Sequence, residues 1–151
     1  MNYRIRRATG EDLERLIDFV VMEAQEAEGI TKNPATVREG ILTGLMDESV
    51  ALYWVVEDAQ RVIGNVSVVK EWSDWNAGYY WWIQSIFIEP NYRGQGLAKM
   101  LLRAVQDAAQ EQQALELRLY VHQENRRAIQ TYLKAGFEDT PYCIMRLAIH
   151  S

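Results

Sequence analysis

Polar and apolar residues alternate from Tyr3 to Ala8, the pattern of a strand with one covered face. Thr9 follows as an N-cap with Asp12 at the capping-box position, and Leu13, Leu16, Ile17, Val20, Val21 and Ala24 then recur at helical spacing. Gly29 to Pro34 interrupts that stripe, and Pro34 opens a second helix with Val37, Ile41, Leu42 and Leu45 on its inner face. Val50 to Val56 and Arg61 to Val69 read as strands joined by a turn at Asp58-Ala59-Gln60. Glu71 to Gly78 reads as a polar, aromatic loop, and Tyr79 to Ile88 returns as a strand.

Beyond Gly94-Gln95-Gly96, one helical face carries Leu97, Leu101, Ala104, Val105 and Ala108. The other carries Lys99, Arg103, Asp107 and Gln110. Leu115 to Val121 alternates as a strand. Asn125 to Ala135 is helical and closes on Gly136, and Tyr142 to Ile149 reads as a final strand after Thr140-Pro141. The order predicts one mixed α/β domain over residues 1–151, with neighbouring strands antiparallel where connections are short.

Composition narrows the class. A net charge of -5 disfavours general affinity for nucleic acid, which needs a basic footprint. Met1 to Leu16 is studded with Arg, Asp and Glu, unlike a signal peptide, and the longest apolar run, Tyr79 to Ile88, is too short to span a bilayer. The expectation is a cytoplasmic protein with no membrane partner. Cys143 is the single cysteine, so an internal disulfide is impossible, and it reads as a small buried hydrophobe in the last strand. His122, His150 and Cys143 lack metal-ligand spacing, and no metal is expected.

The densest chemistry lies between Ile86 and Ala98, where a strand passes through a glycine turn directly into a helix. The first N–H groups of a helix have no intrahelical acceptor, and the dipole adds positive charge there, so an anion suits the turn. The P-loop pattern is absent, and Lys99 stands where a dinucleotide fingerprint needs its third glycine.

The turn resembles the acyl-CoA pyrophosphate loop of the GNAT superfamily of N-acetyltransferases, Gln/Arg-x-x-Gly-x-Gly/Ala, met here by Arg93, Gly96 and Ala98. A second signature follows in the family's order: Asn125 to Phe137 is similar to its Asn-x-x-Ala-x-x-x-Tyr-x-x-x-Gly-Phe helix. The resemblance covers essentially the whole chain. It implies a single-domain GNAT fold: a mixed, mostly antiparallel sheet of about seven strands flanked by about four helices and splayed between the fourth and fifth strands.

It also implies acetyl-CoA as cosubstrate. Free backbone groups of Ile86, Phe87 and Ile88 would pair with pantetheine as a pseudo-strand, and an N–H near Ile86 or Phe87 would hold the thioester oxyanion. Gly94, Gln95, Gly96, Leu97 and Ala98 would cradle the diphosphate, with a charged contact from Arg93. Asn125 would hydrogen-bond the cofactor and Tyr132 would protonate the leaving thiolate. The residues alone also allow an ordinary strand, turn and packed tyrosine.

The acceptor side is open. An amine with a pKa near 10.4 is only about one part in a thousand neutral at pH 7.4, a deficit of about 4 kcal/mol that a base must offset. Relatives of this pattern place an acid near the start of the strand, where Gln84 and Ser85 stand here. The candidate bases are Glu71, Asp74, His122, Glu26, Glu28 or a water. The aromatic run Trp72, Trp75, Tyr79, Tyr80, Trp81 and Trp82 has three readings: core, acceptor-pocket wall or homodimer surface. With no credible nucleophile, the leading expectation is direct acetyl transfer to a primary amine of a small molecule. A protein or peptide amine, or a non-catalytic acyl-CoA sensor, are the alternatives.

Overall fold

The computed structural model describes residues 2–150. Its elements are β1 (Tyr3–Arg7), α1 (Leu13–Glu28), α2 (Pro34–Met46), β2 (Leu52–Asp58), β3 (Arg61–Ser73), β4 (Gly78–Ile88), α3 (Leu97–Glu111), β5 (Glu116–Leu119) and α4 (Arg126–Lys134). Short 3-10 turns at Gly10–Asp12 and Pro90–Tyr92 lead into α1 and the glycine turn. The sheet order is β1-β2-β3-β4-β5, antiparallel through β4 and then parallel between β4 and β5.

The two helical stripes cover opposite faces. Leu16, Ile17 and Phe19 of α1 pack with Ile41 of α2 against Tyr53, Val55, Val62 and Phe87, and the Phe19 and Phe87 rings stack at 5.5 Å. Leu97, Leu101, Leu102 and Val105 of α3 pack against Trp54, Val56, Ile63, Val66 and Trp81, with Ile86, Tyr132 and Phe137 at the margin. The predicted capping box forms on the 3-10 turn that precedes α1: the Thr9 N–H donates to Asp12 at 2.8 Å.

Five expectations change. Half of the expected loop from Glu71 to Gly78 is strand, because Glu71 pairs with Tyr80 and Trp72 with Tyr79, which leaves only residues 74–77 as the turn. The Trp72 and Tyr79 rings meet edge-to-face at 5.1 Å, which extends the hairpin beyond the core. Leu42, placed on the inner face of α2, is 40% exposed.

The sheet has five strands among the described residues, not seven. Tyr142 to Ile149 lies outside every ladder, with Tyr142, Ile144, Met145, Leu147 and Ile149 exposed, and Cys143 is exposed with them. Alternation supplies strand propensity, but a strand forms only where an edge is in reach to take its backbone hydrogen bonds.

A bulge decides what happens to β4. Ser67 pairs with Ser85 and Val68 with Ile83, leaving Gln84 as the extra residue. A bulge bends and twists its strand. Pairing with β5 ends at the same place, at Ile83 with Leu119.

Candidate active site

Below the bulge, Gln84 to Ile88 keep β3 as their only ladder partner among the described residues. Backbone groups point alternately to the two sides of a strand. The Glu89 N–H donates to Ile63 of β3 at 2.9 Å, so the Phe87 N–H also faces β3, and the outward N–H groups belong to Ile86 and Ile88.

Side chains tied to α1 hold this open edge. The Ile86 N–H donates to Glu23 Oε2 at 3.0 Å, and the Ser85 hydroxyl donates to Glu23 Oε1 at 2.8 Å. Arg93 Nε donates to the Ile88 carbonyl at 2.9 Å, while its Nη2 pairs with Glu26 at 2.9 Å. Glu23 and Glu26 are neighbours on one face of α1, which therefore reaches the edge twice. Burial pushes the Glu23 carboxyl above its ordinary pKa, with Glu26 and Glu28 adding to the rise and the hydrogen bonds from Ser85 and Ile86 opposing it.

Glu23 went unnoticed in the sequence. It stands seven residues after Leu16 and four after Phe19, on the buried stripe of α1, where an apolar residue is expected. A carboxylate there was the available signal.

Tyr132 approaches from the other face. Its ring lies edge-to-face with Phe137 at 5.8 Å, in the cluster that also takes Ile86. Burial, then the charge of Glu23, pushes its phenol up to about 12, so it stays a proton donor throughout the neutral range. Asn125 begins the same helix as its N-cap, with Oδ1 accepting the Ala128 N–H at 3.2 Å.

The glycine turn is built for close approach. Gly94 and Gly96 have φ of 81° and 80°, which glycine adopts without strain, and a Cβ on either would meet nothing within 4 Å. The first bond of α3 runs from the Met100 N–H to Gly96 at 3.1 Å, leaving the N–H groups of Leu97, Ala98 and Lys99 without helix acceptors. A groove of about 560 Å³ runs past Ile5, Gly96, Lys99, Met100, Arg103 and Ala135. Lys99 and Arg103, assigned by periodicity to the polar face, line that groove. Arg93 is engaged by Glu26 and Ile88 instead of facing it, and Gln95 accepts from the Tyr3 hydroxyl.

The candidate bases separate by position. Glu71 opposes Tyr80, six residues from Ile86, which is about 20 Å along a strand, and Asp74 lies further out at the hairpin tip. Glu71 also accepts from Trp82 Nε1 at 3.3 Å. His122 is exposed, and its Nδ1 accepts the Glu124 N–H at 3.2 Å. Glu26 is paired with Arg93, and Glu28 is exposed at the end of α1. Of the aromatic run, Trp81 is core at 1% exposure, whereas Trp75 is 90% exposed.

The family model for the GNAT acetyltransferases matches residues 14–137, a span that includes α1, the open edge, the glycine turn and α4. The chain belongs to the GNAT acetyltransferase family. Over 78 residues it is 31% identical to the thialysine N-epsilon-acetyltransferase of Bos taurus, a match covering 52% of this chain and 45% of that protein. The match therefore spans about half the length of that relative. A possible acetyltransferase from Clostridium difficile 630 superposes with a TM-score of 0.92, 27% identity and 100% coverage of both chains. The aminoglycoside N-acetyltransferase AAC(6')-Iy in complex with CoA shares the fold, with a TM-score of 0.83 at 17% identity over 99% of this chain and 96% of that one. Among the described residues no group of His, Cys, Asp and Glu is arranged to hold a metal, and no helix is long and apolar enough to cross a membrane.

Proposed function

We propose that this chain is an acetyl-CoA-dependent N-acetyltransferase that moves the acetyl group directly to a primary amine of a small, cationic molecule. The observation that carries the reading is the open β4 edge from Gln84 to Ile88, which leads straight into the Gly94–Ala98 turn. Pantetheine then lies along the edge as an added strand, and the diphosphate meets the unpaired N–H groups of α3, with Lys99 and Arg103 nearby.

Each part has a chemical role. In this reading the outward Ile86 N–H polarises the thioester carbonyl, and Tyr132 is the donor to the departing sulfur. No cysteine stands on the open edge or in the glycine turn, which favours direct attack by the amine over an acyl-enzyme. The last turns of α1 carry Glu23, Glu26 and Glu28, a negative field that favours a cationic acceptor. Thialysine, the acceptor named for the 31% identical relative, is a small molecule with a terminal primary amine. The exposed apolar segment from Tyr142 to Ile149 fits association of two copies, which light scattering measures.

The test is thiol release from acetyl-CoA with a panel of thialysine, lysine, spermidine, neamine and N-terminal peptides, beside calorimetry of acetyl-CoA binding. Turnover with a small amine is the expected result. Binding without turnover across the panel identifies an acyl-CoA sensor, and peptide-only turnover identifies a protein acetyltransferase.

A further inference from the structure

We infer that Glu23 is the general base of the acetyl transfer, and that the Ile86 N–H passes from Glu23 to the thioester carbonyl when acetyl-CoA binds. The inference rests on the N-acetyltransferase reading and adds the residue that reading lacks. Its ground is a single contact set: one carboxylate holds both the Ser85 hydroxyl and the outward Ile86 N–H, at the point where β4 leaves β5.

A thioester carbonyl accepting from Ile86 must take the place of Glu23 Oε2, because one N–H serves one strong acceptor at that distance. The freed oxygen stays beside the carbonyl carbon, since Oε1 remains tied to Ser85. It also loses a hydrogen bond that favoured its ionised form, so its basicity rises as the acyl group arrives. Among the surrounding groups the nearby carboxylates act in the same sense. Glu26 and Glu28 on its own helix raise its proton affinity, Tyr132 of α4 is neutral, and Arg93 is committed to Glu26.

The protons balance. Glu23 takes one from the bound ammonium, keeps it while the amide forms, and only then releases it to solvent. The neutral nitrogen attacks the carbonyl carbon, the N–C bond forms and the C–S bond breaks. Tyr132 gives its proton to the thiolate and recovers the second proton from nitrogen. The sum is ammonium plus thioester giving amide, thiol and one proton. Glu23 is neutral once it has taken its proton, so no carboxylate charge opposes the oxyanion growing on Ile86.

No other acid is as well placed. Glu71 and Asp74 lie up the hairpin, His122 is exposed, and Glu26 is held by Arg93.

The experiment compares the wild-type chain with Glu23→Gln and Glu23→Asp, using acetyl-CoA and the best amine of the panel, then 2,2,2-trifluoroethylamine, which is already neutral at pH 7.5. Glu23→Gln should lower kcat about 10²- to 10⁴-fold with the protonated amine. Its acetyl-CoA affinity should stay within about threefold, and the acid limb of the kcat/KM profile should vanish. The deficit should shrink at least tenfold with the neutral amine, and Glu23→Asp should keep the acid limb. Unchanged kcat in Glu23→Gln overturns the inference, as does an equal loss with both amines. Failure of the wild type to bind acetyl-CoA overturns the underlying reading instead.

Discussion

Glu23 and Tyr132 reach the open edge of β4 from opposite faces of the sheet, near enough for the carboxylate's charge to contribute to the raised pKa of the phenol. A group that accepts a proton and a group that donates one therefore flank the same gap. Replacing Tyr132 by Phe removes only the donor. Turnover should fall about 10²-fold or more while acetyl-CoA affinity measured by calorimetry is retained. A tyrosine needed only for packing would leave turnover intact, since Phe fills the same space.

The phenol also sets a pH expectation. In the proposed role its protonated form is the active one, and that form is lost only as pH rises through about 12. Tyr132 should therefore contribute no basic limb to the kcat profile between pH 6 and about 10. A basic limb in that range that disappears in Tyr132→Phe would contradict this placement.

The glycine turn is testable by filling it. At Gly96 a side chain meets no neighbour within 4 Å, but the φ of 80° strains any branched residue. Gly96→Val should cost about 1–3 kcal/mol of stability through that strain, still fold, and lose most of its acetyl-CoA affinity. Calorimetry with a parallel thermal melt separates the two effects.

Gly64 answers a different question, that of how tightly the edge is built. A Cβ there would stand 2.6 Å from the Phe87 carbonyl and 2.7 Å from Ile88 Cδ1. Backbone cannot yield cheaply, so Gly64→Ala should destabilise by about 1–3 kcal/mol, read from chemical denaturation.

Two carboxylates should respond to pH with opposite signs. The Glu23 carboxyl is raised chiefly by burial, so the folded state holds its proton more tightly than the unfolded one. Stability falls as pH rises from the unfolded value of about 4.3 through the higher folded value, and Glu23→Gln should raise Tm at pH 7 but not at pH 3.5. Burial alone would also raise Asp12, but hydrogen bonds from Arg6 and Thr9 outweigh it and hold its carboxyl low. Its contribution is complete above about pH 4 and lost as pH falls through the folded value, so Asp12→Asn should lower Tm at pH 7 and converge with wild type near pH 2.

Most of the architecture was legible because period and punctuation agree. The stripe from Leu13 to Ala24, the Pro34 start and the Gly136 stop each encode a local conformation that packing then reinforces. The hairpin was read short because Trp72 and Tyr79 stabilise each other across strands, a pairing invisible to a linear window. Tyr142 to Ile149 failed in the opposite direction: its alternation is clear, yet no edge receives it in this structure. Periodicity put Lys99 and Arg103 on the polar face of α3, where they stand, but could not show that a groove opens beside them.

The sequence by itself determined the glycine turn and the start of α4, since Gly94–Ala98 and Asn125–Tyr132 are local motifs with the conformations their residues dictate. Only the tertiary structure decided which backbone groups of β4 are left without a ladder partner and what meets them. Bulging at Gln84 releases the strand from β5, alternation turns the Ile86 N–H outward, and helix α1, more than sixty residues earlier, delivers Glu23 to it. That contact joins residues 63 apart, and no periodicity within either segment encodes it.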